Sequence, residues 1–199
     1  MPEVSVLMDR QECLSHNLMP EVETERLRHR MLRPEDLADL LSIVGDSEVM
    51  TYIGVEGGVP LSSEEANDAL TKMIAFWEQR GFGRWAVVNK STNHMVGLCG
   101  LRLMEDTPEL FYVFAKDVWG LGLATESAKA CLRYGFEELG FDRIVAACRH
   151  ANAASIRVMK KIGMRYEKDI KYQGVDAVCY AITRDNFVVD DSKYLVTRK

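Results

Sequence analysis

Two glycines spaced two apart, Gly120 and Gly122, sit in the stretch VWGLGLATE (118–126), between a strand-like run and a helix-like one. Glycine at such a junction lets the chain turn tightly, or lets something approach the backbone closely. A helix N-terminus offers unpaired N–H groups and a partial positive charge. Small residues ahead of it, with Ala124 in the first turn, therefore make a seat for an anion, a diphosphate above all. The same residues would also serve simply to turn the chain from strand to helix. Asn152 opens NAASIRVMKKIG and reads as a helix cap. Glu126, in the first turn after the glycines, favours the helix dipole and reads as structural, or at most as lining an acceptor pocket.

A dinucleotide fingerprint fits the glycines poorly. Its third glycine would fall on Thr125, and the acid that should end the next strand is missing, since Asp142 precedes that strand and the strand ends in CRH. Metal chemistry is not expected either. The four histidines (His16, His29, His94, His150) and five cysteines (Cys13, Cys99, Cys131, Cys148, Cys179) are scattered without ligand spacing or a C-x-x-C pair. The cysteines read as reduced thiols, most of them buried.

These residues need elements to hold them. TERLRHRML (24–32) alternates as a half-buried strand does. Pro34 opens a helix carrying Leu37, Leu40, Leu41 and Val44. Ser62 and Glu65 form an S-x-x-E capping box ahead of a helix that Gly81 stops. The period then changes from 3.6 to 2: RWAVVNK (84–90), HMVGLCGLRLM (94–104) and ELFYVFA (109–115) read as strands of an antiparallel meander. A helix over ATESAKACLRYGFEELG, a strand RIVAACRH (143–150), a short helix ended by Gly163 and a last strand AVCYAITRD (177–185) complete the order β-α-α-β-β-β-α-β-α-β. The pattern calls for an α/β class with a mixed sheet and helices on both faces. It divides the chain into an arm over 1–22, one domain over 23–188 and a loose polar tail over 189–199.

At 199 residues and 47% hydrophobic, the chain can bury a core as one domain. A net charge of −5 argues against a nucleic-acid partner. No apolar run approaches a membrane span, and MPEVSVLMDRQECLSHNLMP lacks the pattern of a secretory signal, so the expected compartment is the cytoplasm.

From about residue 23 to 187 the sequence resembles the GNAT acyltransferase superfamily, and within it the Rim-type branch of ribosomal-protein N-terminal acetyltransferases. The resemblance runs in order through TERLRHRMLRPEDLADL, FWEQRGFGRWAVV, VGLCGLR, the long stretch from ELFYVFAKDVWGLGLATE to KKIGMRYE, and CYAIT. The family pattern Q/R-x-x-G-x-G/A falls on Trp119–Ala124, with Trp119 in the place of Gln or Arg.

The resemblance implies a GNAT fold, a mostly antiparallel sheet whose strands ELFYVFA and RIVAACR splay apart to admit the pantetheine arm of acetyl-CoA. It implies that Phe114 and Ala115 bond that arm through their backbone and that Asn152 bonds it from the far side. The loop of Trp119, Gly120, Leu121, Gly122, Leu123, Ala124 and Thr125 would hold the pyrophosphate. The expected reaction is acetyl transfer to a primary amine, on a protein N-terminus or a small molecule, with a homodimer allowed. Glu109 is the candidate base. Ser155 is the candidate partner of the leaving thiolate, because many family members carry a tyrosine where this chain has Met159. That departure keeps open a non-catalytic CoA-sensing or protein-binding module.

Overall fold

The computed structural model describes residues 19–54, 57, 59–172 and 174–198. The expected arm lies outside them except for 19–22, as do Cys13 and His16. The chain begins with strands β1 (Pro20–Glu23) and β2 (Leu27–Met31), followed by helices α1 (Leu37–Val44), α2 (Ser47–Met50) and α3 (Ser63–Arg80). Strands β3 (Arg84–Asn89), β4 (Met95–Met104) and β5 (Thr107–Phe114) then lead to helix α4 (Leu123–Glu137). Strand β6 (Arg143–Arg149), helix α5 (Ala153–Lys161) and strands β7 (Arg165–Tyr172), β8 (Val175–Thr183) and β9 (Leu195–Arg198) complete it.

The nine strands form one sheet in the order β7-β8-β6-β5-β4-β3-β2-β1-β9. Every neighbouring pair is antiparallel except β5 and β6. Alternation along the strands builds two cores. In β3, Trp85 and Val87 pack with α4, whereas Ala86 packs with α1 and α3. Leu132 and Phe136 of α4 fill the first core, and Leu40 of α1 with Leu70 of α3 fill the second. The sheet thus has helices on both faces, as the pattern requires.

Local signals act as their chemistry dictates. Ser62 Oγ accepts from the Glu65 N–H at 3.2 Å and Glu65 Oε2 accepts from the Ser62 N–H at 2.8 Å, closing the capping box of α3. Gly81 ends that helix with φ +70°.

The short helix α2 is an addition to the sequence reading, started by Asp46, whose side chain accepts from the Glu48 and Val49 N–H groups, and three further segments depart from it. The single strand expected over 24–32 is the second half of a hairpin, because the Thr24 N–H donates to the Leu27 carbonyl (2.9 Å) and turns the chain there. Strand β7 was not expected: it is an exposed edge strand, RYEKDIKY, with no apolar alternation to reveal it. The tail is not loose, since its last strand pairs with β1 from Pro20↔Arg198 to Glu23↔Leu195.

Candidate active site

Helix α4 begins at Gly122, which takes φ +79°, with Gly120 at φ +78° two residues earlier. Both are left-handed conformations that side chains with a Cβ resist. Among the described residues no side chain caps this helix, whose first internal bond is Glu126 N–H to the Gly122 carbonyl (3.1 Å). By contrast, α3 has its capping box and α5 has Asn152. The N–H groups of the first turn of α4 therefore have no cap to serve them. The space over the loop is open. Among the described residues, a Cβ at Gly120 would meet nothing within 4 Å, and one at Gly122 only Nη2 of Arg26 at 3.6 Å. Main-chain donors, positive dipole and free approach fit a diphosphate.

The loop is pinned on two sides. Trp119 donates its indole N–H to the Phe114 carbonyl at 2.9 Å, tying the loop to the end of β5 while its ring stays 49% exposed. Arg26 donates to the Leu121 carbonyl at 2.8 Å and to Glu126 Oε2 at 2.6 Å. Glu126 Oε1 also accepts from Thr24 Oγ1 (2.7 Å) and the Arg26 N–H (2.9 Å). Burial opposes ionisation of Glu126, but Thr24 and Arg26 together hold its carboxyl below the usual range. Glu126 is thus structural, as read, and joins the first turn of α4 to the β1–β2 turn. Arg26 was not singled out from sequence; nothing local marks a residue whose partners lie about a hundred positions away.

Beyond the loop, β5 and β6 run parallel and pair at one position, Glu109↔Val145. From there toward Phe114 and Arg149 they part, and a cavity of about 320 Å³ opens between them. Successive residues of β5 point to opposite faces. Phe111 packs toward the α1–α3 core and Tyr112 toward the α4 core, and both line the cavity, which therefore passes through the sheet at the fork.

The backbone phase of β5 corrects one expectation. The Ala115 N–H donates to the Val96 carbonyl at 2.9 Å and its carbonyl accepts from Val118 at 3.3 Å, so Ala115 is turned away from the gap. Alternate residues of an antiparallel strand bond alternate neighbours, which directs the N–H groups of Tyr112 and Phe114 toward β6.

Asn152 and Ser155 lie on the far side of the cavity. Asn152 Oδ1 accepts from the Ser155 N–H at 3.0 Å, which makes it the cap of α5, and its amide NH2 has no protein partner among the described residues. Ser155 Oγ shares a 2.8 Å hydrogen bond with the Tyr112 hydroxyl, which also lies 3.1 Å from the Ser155 carbonyl. Burial pushes the Tyr112 phenol up, so it stays protonated as a donor. Cys148 joins them, its thiol likewise raised by burial. Met159 is buried in the core. A hydroxyl thus reaches this end of the cavity from β5, while the helix position that bears it in many GNAT proteins is apolar. Sequence reading missed Tyr112, although its register two residues before Phe114 marks the same orientation.

Glu109 stands at the point of the fork, only 1% exposed. Arg102 holds both its oxygens, at 2.6 and 3.3 Å, and donates to the Tyr172 hydroxyl at 2.9 Å. Among the described residues, no group of three or more His, Cys, Asp or Glu could hold a metal ion. Nor is any helix among them long and apolar enough to cross a membrane.

The acetyltransferase (GNAT) domain family matches residues 26–165. The chain is 35% identical over 165 residues to the Bacillus subtilis (strain 168) protein YkkB, covering 78% of this chain and 91% of that protein. A GNAT-family acetyltransferase structure from Bacillus anthracis superposes with a TM-score of 0.72 at 32% identity, covering 83% of this chain and 99% of that one. The ribosomal-protein α-N-acetyltransferase RimL, solved in complex with coenzyme A, shares the fold at 20% identity with a TM-score of 0.67, over 80% of this chain and 95% of its own. An uncapped, glycine-led helix N-terminus beside a forked parallel pair, in a chain matched by this family over most of its length, makes the protein an acyltransferase that belongs to the GNAT acetyltransferase family.

Proposed function

We propose that the protein transfers an acetyl group from acetyl-CoA to a primary amine by direct attack within a ternary complex. The observation that carries this reading is the uncapped, glycine-led N-terminus of α4, tied through Trp119 to the end of β5, the strand that parts from β6. Main-chain N–H groups of Gly120–Thr125 take the diphosphate. The N–H groups of Tyr112 and Phe114 and the amide of Asn152 bond the pantetheine arm as an added strand would. When bound, acetyl-CoA supplies the acetyl group as a thioester whose C–S bond breaks as the amine nitrogen bonds the carbonyl carbon.

The chain's own residues position the reactants and manage protons. An unperturbed lysine amine has a pKa of about 10 and an α-amino group about 8, so the acceptor must lose a proton before it attacks. Glu109, at the fork, takes that proton directly or through a water. The hydroxyls of Tyr112 and Ser155 donate hydrogen bonds to the sulfur as negative charge develops there, and the proton that the nitrogen sheds on becoming an amide is relayed through them to the thiolate, so that the thiol leaves protonated. Most of the acceleration comes from holding amine and thioester in register.

A thiol-release assay over a panel of amines and N-terminal peptides tests the proposal. Turnover above the hydrolysis background with at least one amine is expected. Tight acetyl-CoA binding with no amine-dependent release would overturn it in favour of a non-catalytic CoA-binding module.

A further inference from the structure

On the α1–α3 face of the sheet the cavity is cationic. Its wall is laid down by register: Arg84 on β3 pairs with Gly100 on β4, which pairs with Phe111 on β5, and one step along Arg102 pairs with Glu109. Gly100 sets no side chain between them, because the backbone of Gly83 and Arg84 fills that space: a Cβ there would meet the Gly83 carbonyl at 2.2 Å. The side chains of Arg84 and Arg102 come together over the ring of Phe111, their guanidinium carbons 5.3 and 4.5 Å from its centroid. Arg102 is neutralised by Glu109. Arg84 has no hydrogen-bond or ion-pair partner for its guanidinium among the described residues, although it lines the cavity and is largely buried. Burial, then the charge of Arg102, lower its pKa to about 10 against the opposing pull of Glu109, so it remains charged at neutral pH. Two guanidiniums thus share the single carboxylate of Glu109, and the net positive charge left in a largely buried site is unfavourable unless something supplies a second counter-ion. Planar guanidinium donors match a carboxylate in two-pronged geometry.

We infer that the acetyl acceptor carries a carboxylate, held by Arg84 with Arg102 beside it, as well as the amine that is acetylated. An amino acid or a peptide whose first residue is acidic has this chemistry. A polyamine or an antibiotic amine, cationic throughout, does not. The cavity volume of about 320 Å³ suits a molecule or terminus of that size. The inference rests on the acetyl-transfer reading and names its substrate class.

The test compares matched acceptors: free amino acids, their carboxamides and the corresponding decarboxylated amines, with tripeptides beginning in Asp, Glu or Ala to separate a protein terminus from a free amino acid. For the wild type, kcat/KM for an acidic acceptor is expected to exceed that of its amide by about ten- to a hundredfold, the range for losing charge-assisted bonds. Arg84→Gln should bring that ratio toward one and Arg84→Lys should keep part of it, each variant first checked for a cooperative thermal transition. Equal or better turnover of the amides by the wild type, which needs no variant to fold, would overturn the inference. If nothing is turned over, calorimetric titration of N-acetyl amino acids and their amides still decides. Tighter binding of the acid supports the carboxylate site while the acetyl-transfer reading fails, and no preference refutes the site.

Discussion

Replacing Gly122 by valine probes the loop where the account is most exposed. Its φ of +79° costs an ordinary L-residue about 1–2 kcal/mol, and a β-branched one more. Among the described residues a Cβ there meets only Arg26 Nη2 at 3.6 Å, so the loss of stability comes from the backbone rather than from a clash. If the backbone holds, the valine side chain stands over the N–H groups of the first turn of α4. If it yields, those groups swing away. In either case the diphosphate loses at least two charge-assisted hydrogen bonds, worth about 1.5–3 kcal/mol each, or about 3–6 kcal/mol together. That corresponds to a rise in Kd of about 10²- to 10⁴-fold. Calorimetric titration with acetyl-CoA measures it on protein shown to be folded by circular dichroism. The control is acetyl-pantetheine, which has no diphosphate and whose kcat/KM should fall less than about threefold, since it forgoes only the bonds of the loop. A folded Gly122→Val protein that binds acetyl-CoA within about threefold of wild type refutes the loop assignment. An equal loss for both acyl donors would show that the substitution damages the fork instead.

Other expectations follow from the same geometry. Removing the Tyr112 hydroxyl with Tyr112→Phe should lower kcat by about 10- to 100-fold with little change in acetyl-CoA affinity, and the Tyr112→Phe, Ser155→Ala double variant should lose less than the product of the two, because the hydroxyls share one hydrogen bond. Arg26→Ala frees the Leu121 carbonyl and half-releases Glu126, so the acetyl-CoA Kd should rise about tenfold in the same calorimeter, the worth of one charge-assisted bond. Buried His29 bonds the Val22 carbonyl (3.0 Å) and Ser127 Oγ (2.6 Å), and burial lowers its pKa from 6.5 to about 4. The unfolded chain therefore binds the proton first. The stability contributed by neutral His29 is complete above about pH 6.5 and is lost as the pH falls toward 4, amounting to about 2 kcal/mol less at pH 5 than at pH 7. Denaturant titrations at the two pH values should show that difference in the wild type and a smaller one in His29→Gln.

The elements legible in the sequence are those whose burial leaves a period. Strands β3, β4 and β5 alternate between two apolar faces, and the helices around Ser62–Gly81 and after Gly122 carry a cap, a stripe and a stop. Strand β7 has almost no buried residue, so its hydrogen bonds, not its side chains, make it a strand. Strand β9 depends on meeting β1, more than 170 residues earlier, which no local pattern encodes.

The site divides the same way. Gly120, Gly122 and Asn152 were readable because backbone conformation and capping are local properties. Glu109 and Ser155 came from resemblance, and the structure brings both to one cavity with Tyr112. Ala115 was misplaced because which strand residues face the gap is set by pairing phase rather than by residue type. Arg84 and Arg102 gain their meaning only when register lays β3, β4 and β5 side by side.

The most direct test of the central claim is a crystal structure of the protein grown with acetyl-CoA. The account predicts the diphosphate on the main-chain N–H groups of Gly120–Thr125 and the pantetheine arm in the fork between β5 and β6, within hydrogen-bond reach of Phe114 and Asn152. A fork closed by protein side chains, with the ligand bound elsewhere or absent at saturating concentration, would contradict it.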